Sequence, residues 1–354
     1  MFLIHDRKRH YRSYILFKTL VIFIGIVSAI VLFFISVSVG AVCIPIPDII
    51  TTLINGGGST LYERIIWNIR IPQALTAVVT GAGLAIAGVA MQSVLRNPLA
   101  SPFTLGLSSS AAFGAAIGIL LFDAGTSGYT MADAVVVNNP YLTTVCAFSF
   151  SLISTGLILG ISRLRSTTPE TMILAGIAIT SLCSAGLMAV QYFVDDTRLA
   201  SIVFWQFGDV SRSNWQELGL ITLITVVCSG YLISHRWDFN AIDAGEETAK
   251  GLGVPVERIR ILGMISASLM SSVMVAFLGI IGFVGLVCPH MVRRIIGDDH
   301  RFLIPASCVC GSVLLLASDT VARMIISPRV LPVSIITAFL GAPLFLYLIM
   351  RRKR

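Results

Sequence analysis

Apolar residues along this chain come in long unbroken runs separated by short polar stretches, without the one-sided rhythm of a helix that has a wet face. Taken in order, the runs predict helices over 19–40, 72–94, 105–122, 141–162, 172–193, 216–234, 259–280, 281–296, 303–322 and 334–350. Most approach the ~20 residues that cross a bilayer core of ~30 Å. A helix that is apolar all round must be surrounded by lipid or protein. Ten crossings, an even number, leave both termini on one side. The expected organisation is an all-α polytopic membrane protein: a basic tail over 1–18, one transmembrane domain over 19–350 and a second basic tail over 351–354.

Composition turns that expectation into a constraint. Of 354 residues, 56% are apolar and 12% charged, against roughly a quarter charged in soluble domains. A soluble nucleic-acid binder, a disordered chain and a disulfide-stapled secreted scaffold are excluded. The net charge of +7 suggests a polyanion partner until the basic residues are placed. With cytosolic termini, 19 of the 25 Lys and Arg residues fall inside and six outside. That asymmetry is the positive-inside bias, so the charge reports topology. Arg7-Lys8-Arg9 ahead of an apolar run imitates a signal peptide, but 19–40 is long enough to span.

No reactive chemistry emerges. Cys43, Cys146, Cys183, Cys228, Cys288, Cys308 and Cys310 are scattered through apolar segments without a CxxC pair, and neither HExxH nor GxSxG occurs. No catalytic, cofactor or metal site is expected. Ion-coupled carriers keep ionisable groups near the membrane midplane, whereas the clearest acid within a run, Asp319, sits towards an outer end with Arg323 four residues on, where the two can pair. A Walker A loop is also missing from the sequence. If the protein moves cargo uphill, another polypeptide must bind the nucleotide.

The inner segment between the sixth and seventh runs, about 243–257, offers a docking surface for that polypeptide. Asp243 reads as an N-cap with Glu246 as its reciprocal partner, Gly251 as a left-handed stop, and Pro255 as the start of a second helical element. Pattern leaves two readings open, a docking knob and an ordinary solvated connector.

These residues also carry a resemblance. Arg70-Ile-Pro72, the glycine-rich run Gly81 to Gln92, Arg96-Asn-Pro-Leu-Ala-Ser-Pro102, Gly245-Glu-Glu-Thr-Ala-Lys-Gly-Leu-Gly253, Gly279-Ile-Ile-Gly-Phe-Val-Gly-Leu286, Pro289-His290, Asp299-His-Arg301 and Gly341-Ala-Pro343 occur in order. Over about 60–350 the chain resembles the FecCD family, permease subunits of type II ABC importers for iron–siderophore complexes, vitamin B12 and haem.

The resemblance implies two inverted-topology halves in a prokaryotic plasma membrane. It implies a second copy or a paralogous permease as dimer partner, two cytosolic ABC ATPase subunits that hold ATP and Mg, and an extracytoplasmic substrate-binding protein. No cofactor is implied for this chain, and nucleic acid is not a partner. Asp243, Gly245, Glu246, Glu247, Lys250, Gly251, Leu252 and Gly253 become the ATPase-coupling set. Arg70 and Arg323 match outer-face residues that grip the binding protein, although Gln73 departs from the second arginine some relatives carry; the alternative is that Arg323 neutralises Asp319 and Arg70 anchors a helix end. Thr167 and Thr168 match an inner gate, 195–210 flanks the entrance, and Gly81, Gly88, Gly279, Gly282 and Gly285 read as helix-packing positions. The implied cargo is an iron–siderophore, with vitamin B12 or haem as alternatives and an ion-coupled secondary transporter as a rival class.

Overall fold

A computed structural model describes residues 2–40, 44–55, 61–122, 140–164, 168–326 and 329–350. The elements are α1 Phe2–Ser38, α2 Ile46–Asn55, α3 Leu61–Ile65, a π-helical turn Ile66–Arg70, α4 Ile71–Val94, α5 Leu107–Phe122, α6 Pro140–Leu164, α7 Pro169–Phe193, α8 Asp196–Gln206, a 3-10 turn Val210–Arg212, α9 Trp215–Ser234, α10 Arg236–Ala244, α11 Glu246–Gly251, α12 Val256–Leu278, α13 Val284–Ile296, α14 His300–Met324 and α15 Val333–Met350. Each predicted run contains a helix over most of its length. Among the described residues, seven helices are long and apolar enough to cross a membrane, with α5 and α15 shorter but apolar.

The expectation of a full crossing over 281–296 needs correction. That run holds α13, whose 13 residues reach only about 20 Å. The helix starts late because Gly279 and Phe283 both take positive φ, 79° and 67°, which ends α12 at a glycine cap and takes 279–283 out of helix. The non-helical link is stitched to the segment after α8: the Asp209 N–H donates to Leu278 O at 2.8 Å, Phe207 and Ile280 form an isolated parallel bridge, and Gly208 N–H donates to Ser334 Oγ at the start of α15. Part of the main chain outside a helix thereby finds partners, which membrane depth favours.

α4 runs through the middle, buried along nearly all its length. Small residues allow this. A Cβ added to Gly81 would lie 2.2 Å from Gly311 O in α14, and one added to Gly311 would lie 2.1 Å from Gly81 O. Further inward, a Cβ on Gly88 would lie 1.8 Å from Gly285 O in α13, and one on Gly285 would lie 2.7 Å from Leu84 O. Backbone therefore packs on backbone at both crossings, the arrangement that small residues permit between membrane helices. Pro72 stands in the first turn of α4 directly after the π-helical turn; the wider turn accommodates a ring that has no N–H to donate. By contrast, α6 and α7 leave Leu157, Ile161, Leu174, Ile177 and Leu182 exposed, an apolar surface suited to lipid or another membrane chain.

Candidate functional site

At the inner face, α10 and α11 lie under the ends of α4, α12, α13 and α14. The local reading of this segment requires correction. Asp243 is not a cap: it belongs to the last turn of α10. Gly245, at φ 132°, precedes α11, which has no side-chain cap. The left-handed stop is Gly253 at φ 79°, not Gly251, which ends the helix. The Gly253 and Val254 N–H groups return to Lys250 O and Ala249 O at 2.9 and 3.0 Å, a Schellman closure. Pro255 precedes the spanning helix α12 itself.

The charged residues of the segment divide by direction. Glu246 turns inward: its carboxylate accepts from Arg260 Nη2 at 3.0 Å, and Arg260 is 1% exposed. The Arg260 hydrogen bond holds the Glu246 carboxyl below its ordinary range. Asp243 also turns inward, accepting from Ser93 Oγ at 3.3 Å, with Arg293 Nη1 at 3.8 Å and His300 Nδ1 at 3.7 Å. Burial outweighs the Arg293 charge and lifts the Asp243 carboxyl to about 6. His300 is held from both sides, by Ser93 Oγ at 2.9 Å and Asn240 Oδ1 at 3.0 Å. Burial also raises Asp299, but the Arg301 fork and the surrounding N–H donors prevail and leave it at about 2. Beside this network is an open cleft of about 540 Å³ lined by residues including Gln92, Arg96, Asn240, Asp243 and Arg293.

Glu247, Lys250, Gly251, Leu252 and Gly253 point the other way. They form an exposed tip, in which the Glu247 side chain is 93% exposed and Leu252 is 70% exposed. Lys250 pairs with Glu246 at 3.2 Å, and that carboxylate raises the Lys250 pKa. The tip is rigidly based, mixed in charge and apolar at its apex, features of a surface that can lie in a groove of another protein.

The outer arginines face inward, against the rim expectation. Arg70, 6% exposed, donates through Nη1 to Val37 O at 2.6 Å and Ser38 O at 2.8 Å. Arg323 donates to Ser36 O and Val39 O, both at 3.1 Å, and pairs with Asp319 at 3.0 Å. Gln73 Nε2 donates to the other Asp319 oxygen at 3.0 Å. Carbonyls at a helix C-terminus attract cations, and the end of α1 holds both guanidinium groups.

A profile of the FecCD transport family matches residues 28–351. The chain belongs to that family. It is 49% identical over 343 residues to an ABC transporter permease candidate of Methanocaldococcus jannaschii, covering 96% of this chain and 97% of that one. It is 36% identical over 303 residues to the hemin transport system permease protein HmuU of Yersinia pestis, with 85% and 88% covered. Relatives at similar identity are named for Fe(3+)-citrate, molybdate and vitamin B12 import. A solved structure described as an inward-facing conformation of a candidate metal-chelate type ABC transporter superposes with a TM-score of 0.79 at 30% identity, covering 94% of this chain and 99% of that chain.

As a FecCD permease the chain is a non-catalytic, multi-pass membrane subunit of an ABC importer. Of its expected gate pair, Thr168 is the N-cap of α7, accepting from Thr171 N–H at 3.3 Å, and Thr167 lies outside the described residues. Among the glycines, Gly81, Gly88 and Gly285 sit at the close crossings. Gly279 caps α12 and also meets the end of α8, where an added Cβ would lie 2.6 Å from Trp205 O, whereas Gly282 has no atom within 4 Å of an added Cβ. Sequence reading passed over Gly311, Ser93 and Arg260. Arg260 alone carried a signal, a charge inside the first turn of an apolar run.

Proposed function

We propose that this permease translocates a metal chelate, with a ferric siderophore as the cargo, and that the force comes from a separate ATPase seated on α11. The observation that carries the reading is the division of the 243–253 segment into inward-directed Asp243 and Glu246 and an exposed tip of Glu247, Lys250 and Leu252. A solvated connector has no need of buried ties to spanning helices. The cargo class draws its support from relatives named for hemin, Fe(3+)-citrate and vitamin B12 import and from the metal-chelate type structural neighbour.

In this reading two copies of the chain, or this chain with a paralogue, enclose the path, and the apolar faces of α6 and α7 supply surface for that contact. Two ATPase subunits bind ATP and Mg below them, and an extracytoplasmic binding protein delivers the chelate. The permease would cross the membrane several times, with its termini inside, its halves inverted and α13 reaching only part of the way across. An ion-coupled carrier fits less well, because Asp319 is already held by Arg323 and Gln73.

The test is reconstitution of the native complex in vesicles with labelled ferric siderophore, haem and cobalamin in turn. ATP-driven uptake of the siderophore, abolished by Glu247→Lys with Lys250→Glu at the tip, is expected. Retention of the ATPase and of full uptake in that variant would remove α11 from the docking role; preferential uptake of haem or cobalamin would reassign the cargo.

A further inference from the structure

α4 ends in a way that leaves one main-chain oxygen without a helical donor. Arg96 takes a left-handed φ of 45°. The Leu95 N–H returns to Met91 O at 3.0 Å, the Arg96 N–H to Ser93 O at 3.1 Å and the Asn97 N–H to Gln92 O at 3.0 Å. That closure satisfies the oxygens of 91, 92 and 93. The Val94 oxygen is the next in the series, and it accepts from Arg260 Nε at 3.3 Å. The same guanidinium gives Nη2 to Glu246 at 3.0 Å. One planar fork, near the start of α12, therefore joins the inner end of α4 to the base of α11.

We propose that Arg260 is a positioning residue that links displacement of the α11 tip to displacement of the inner end of α4. The proposal deepens the reading of α11 as the ATPase-docked element and rests on it. Three observations carry it. First, Arg260 is 1% exposed; a buried charge is retained only where its partners are close, and removing one end leaves the other unpaired. Second, the two acceptors lie on different helices, so only a fork with several fixed donors reaches both. A lysine, a point charge on a flexible stem, reaches one. Third, α4 is the helix whose displacement spreads furthest, since its backbone touches those of α14 at Gly311 and α13 at Gly285.

A second tie, from Asp243 in α10 to Ser93 Oγ at 3.3 Å, reaches the neighbouring residue of α4. It leaves from the turn before Gly245, however, and bypasses the exposed tip. Arg260 is the contact by which α11 itself reaches α4. Glu246 thus acts behind the docking surface, and Glu247 acts on it.

The test is hydrogen exchange in the native permease–ATPase complex, with and without ATP trapped by vanadate, and it needs no knowledge of the cargo. In the unaltered complex trapping is expected to change exchange both in 246–254 and at the amides of Leu95, Arg96 and Asn97. In Arg260→Gln and Arg260→Lys the change over 246–254 persists and ATP hydrolysis continues. The change at 95–97 falls about tenfold, the loss expected when a charge-assisted hydrogen bond carries the coupling.

A residue that merely stabilised the fold would lower protection equally with and without nucleotide. A nucleotide-dependent change at 95–97 that survives both substitutions overturns the role of Arg260. Silence of 246–254 in the unaltered complex overturns instead the docking of α11. If Arg260→Gln does not assemble, Glu246→Gln breaks the same link from its partly exposed end and gives the same comparison.

Discussion

Single residues in this chain act mostly on main-chain oxygens. Arg70 and Arg323 hold the last turn of α1, and Arg260 holds the last oxygen of α4. Replacing Arg70 by Ala should leave the Val37 oxygen without its guanidinium donor, and Ser38 O with the Ile44 N–H, at a cost of about 1–3 kcal/mol, read as a lower thermal midpoint in detergent. Arg323→Gln should be worse than the double variant with Asp319→Asn, because the single change strands a buried carboxylate; equal midpoints would refute the pairing. Asp243 gives a pH signature. Its folded carboxyl titrates at about 6 against about 3.9 unfolded, so the folded chain takes up its proton first. The Asp243 contribution to stability therefore rises as pH falls from about 7 towards 4, and Asp243→Asn should flatten the slope of midpoint against pH. Asp299, at about 2, works oppositely and only in stronger acid. The sequence disclosed the Asp319–Arg323 pair, four residues apart on one helix. It could not disclose Arg70 on Val37 or Arg260 on Val94, since a main-chain acceptor has no side-chain signature.

At the scale of elements, glycine decides how closely helices approach. Gly88→Ala should force α4 from α13, since the added methyl would lie 1.8 Å from Gly285 O; overpacking of this kind costs at least about 1–3 kcal/mol. Gly282→Ala, with open space around it, should be silent, and comparing the thermal midpoints of the two variants measures the effect of the crossing. The spacing of Gly81 and Gly88 placed both on one face of a helix and was legible. Their partners were not, because periodicity within one helix says nothing about which other helix it meets. The sequence placed a boundary between 280 and 281 but did not show how far the non-helical link extends, because apolar residues continue through it and the dihedrals at Gly279 and Phe283 mark its ends.

At the scale of the whole molecule, hydropathy located every long helix, since lipid leaves few alternatives to a helix along an apolar run. Short inner helices were harder, because α10 is held by side chains of other helices, Ser93 in α4 and Arg293 in α13 among them, and α11 by Arg260 of α12, contacts that no local pattern marks. Among the described residues, the only acid within the α14 span, Asp319, is held by Arg323 and Gln73, which leaves it no free part in ion coupling. The chain alone in vesicles should therefore take up no ferric siderophore under a proton or sodium gradient, and accumulation of label without ATPase would contradict this.

The grip of the arginines on carbonyl oxygens has an evolutionary corollary. An oxygen of the main chain is the same whatever residue bears it, so positions 37, 38, 39 and 94 are free to drift among helix-compatible residues while the guanidinium that clasps each is not. A saturation library scored for function should show immutable arginines facing tolerant neighbours, and a search for correlated substitutions between them would return nothing.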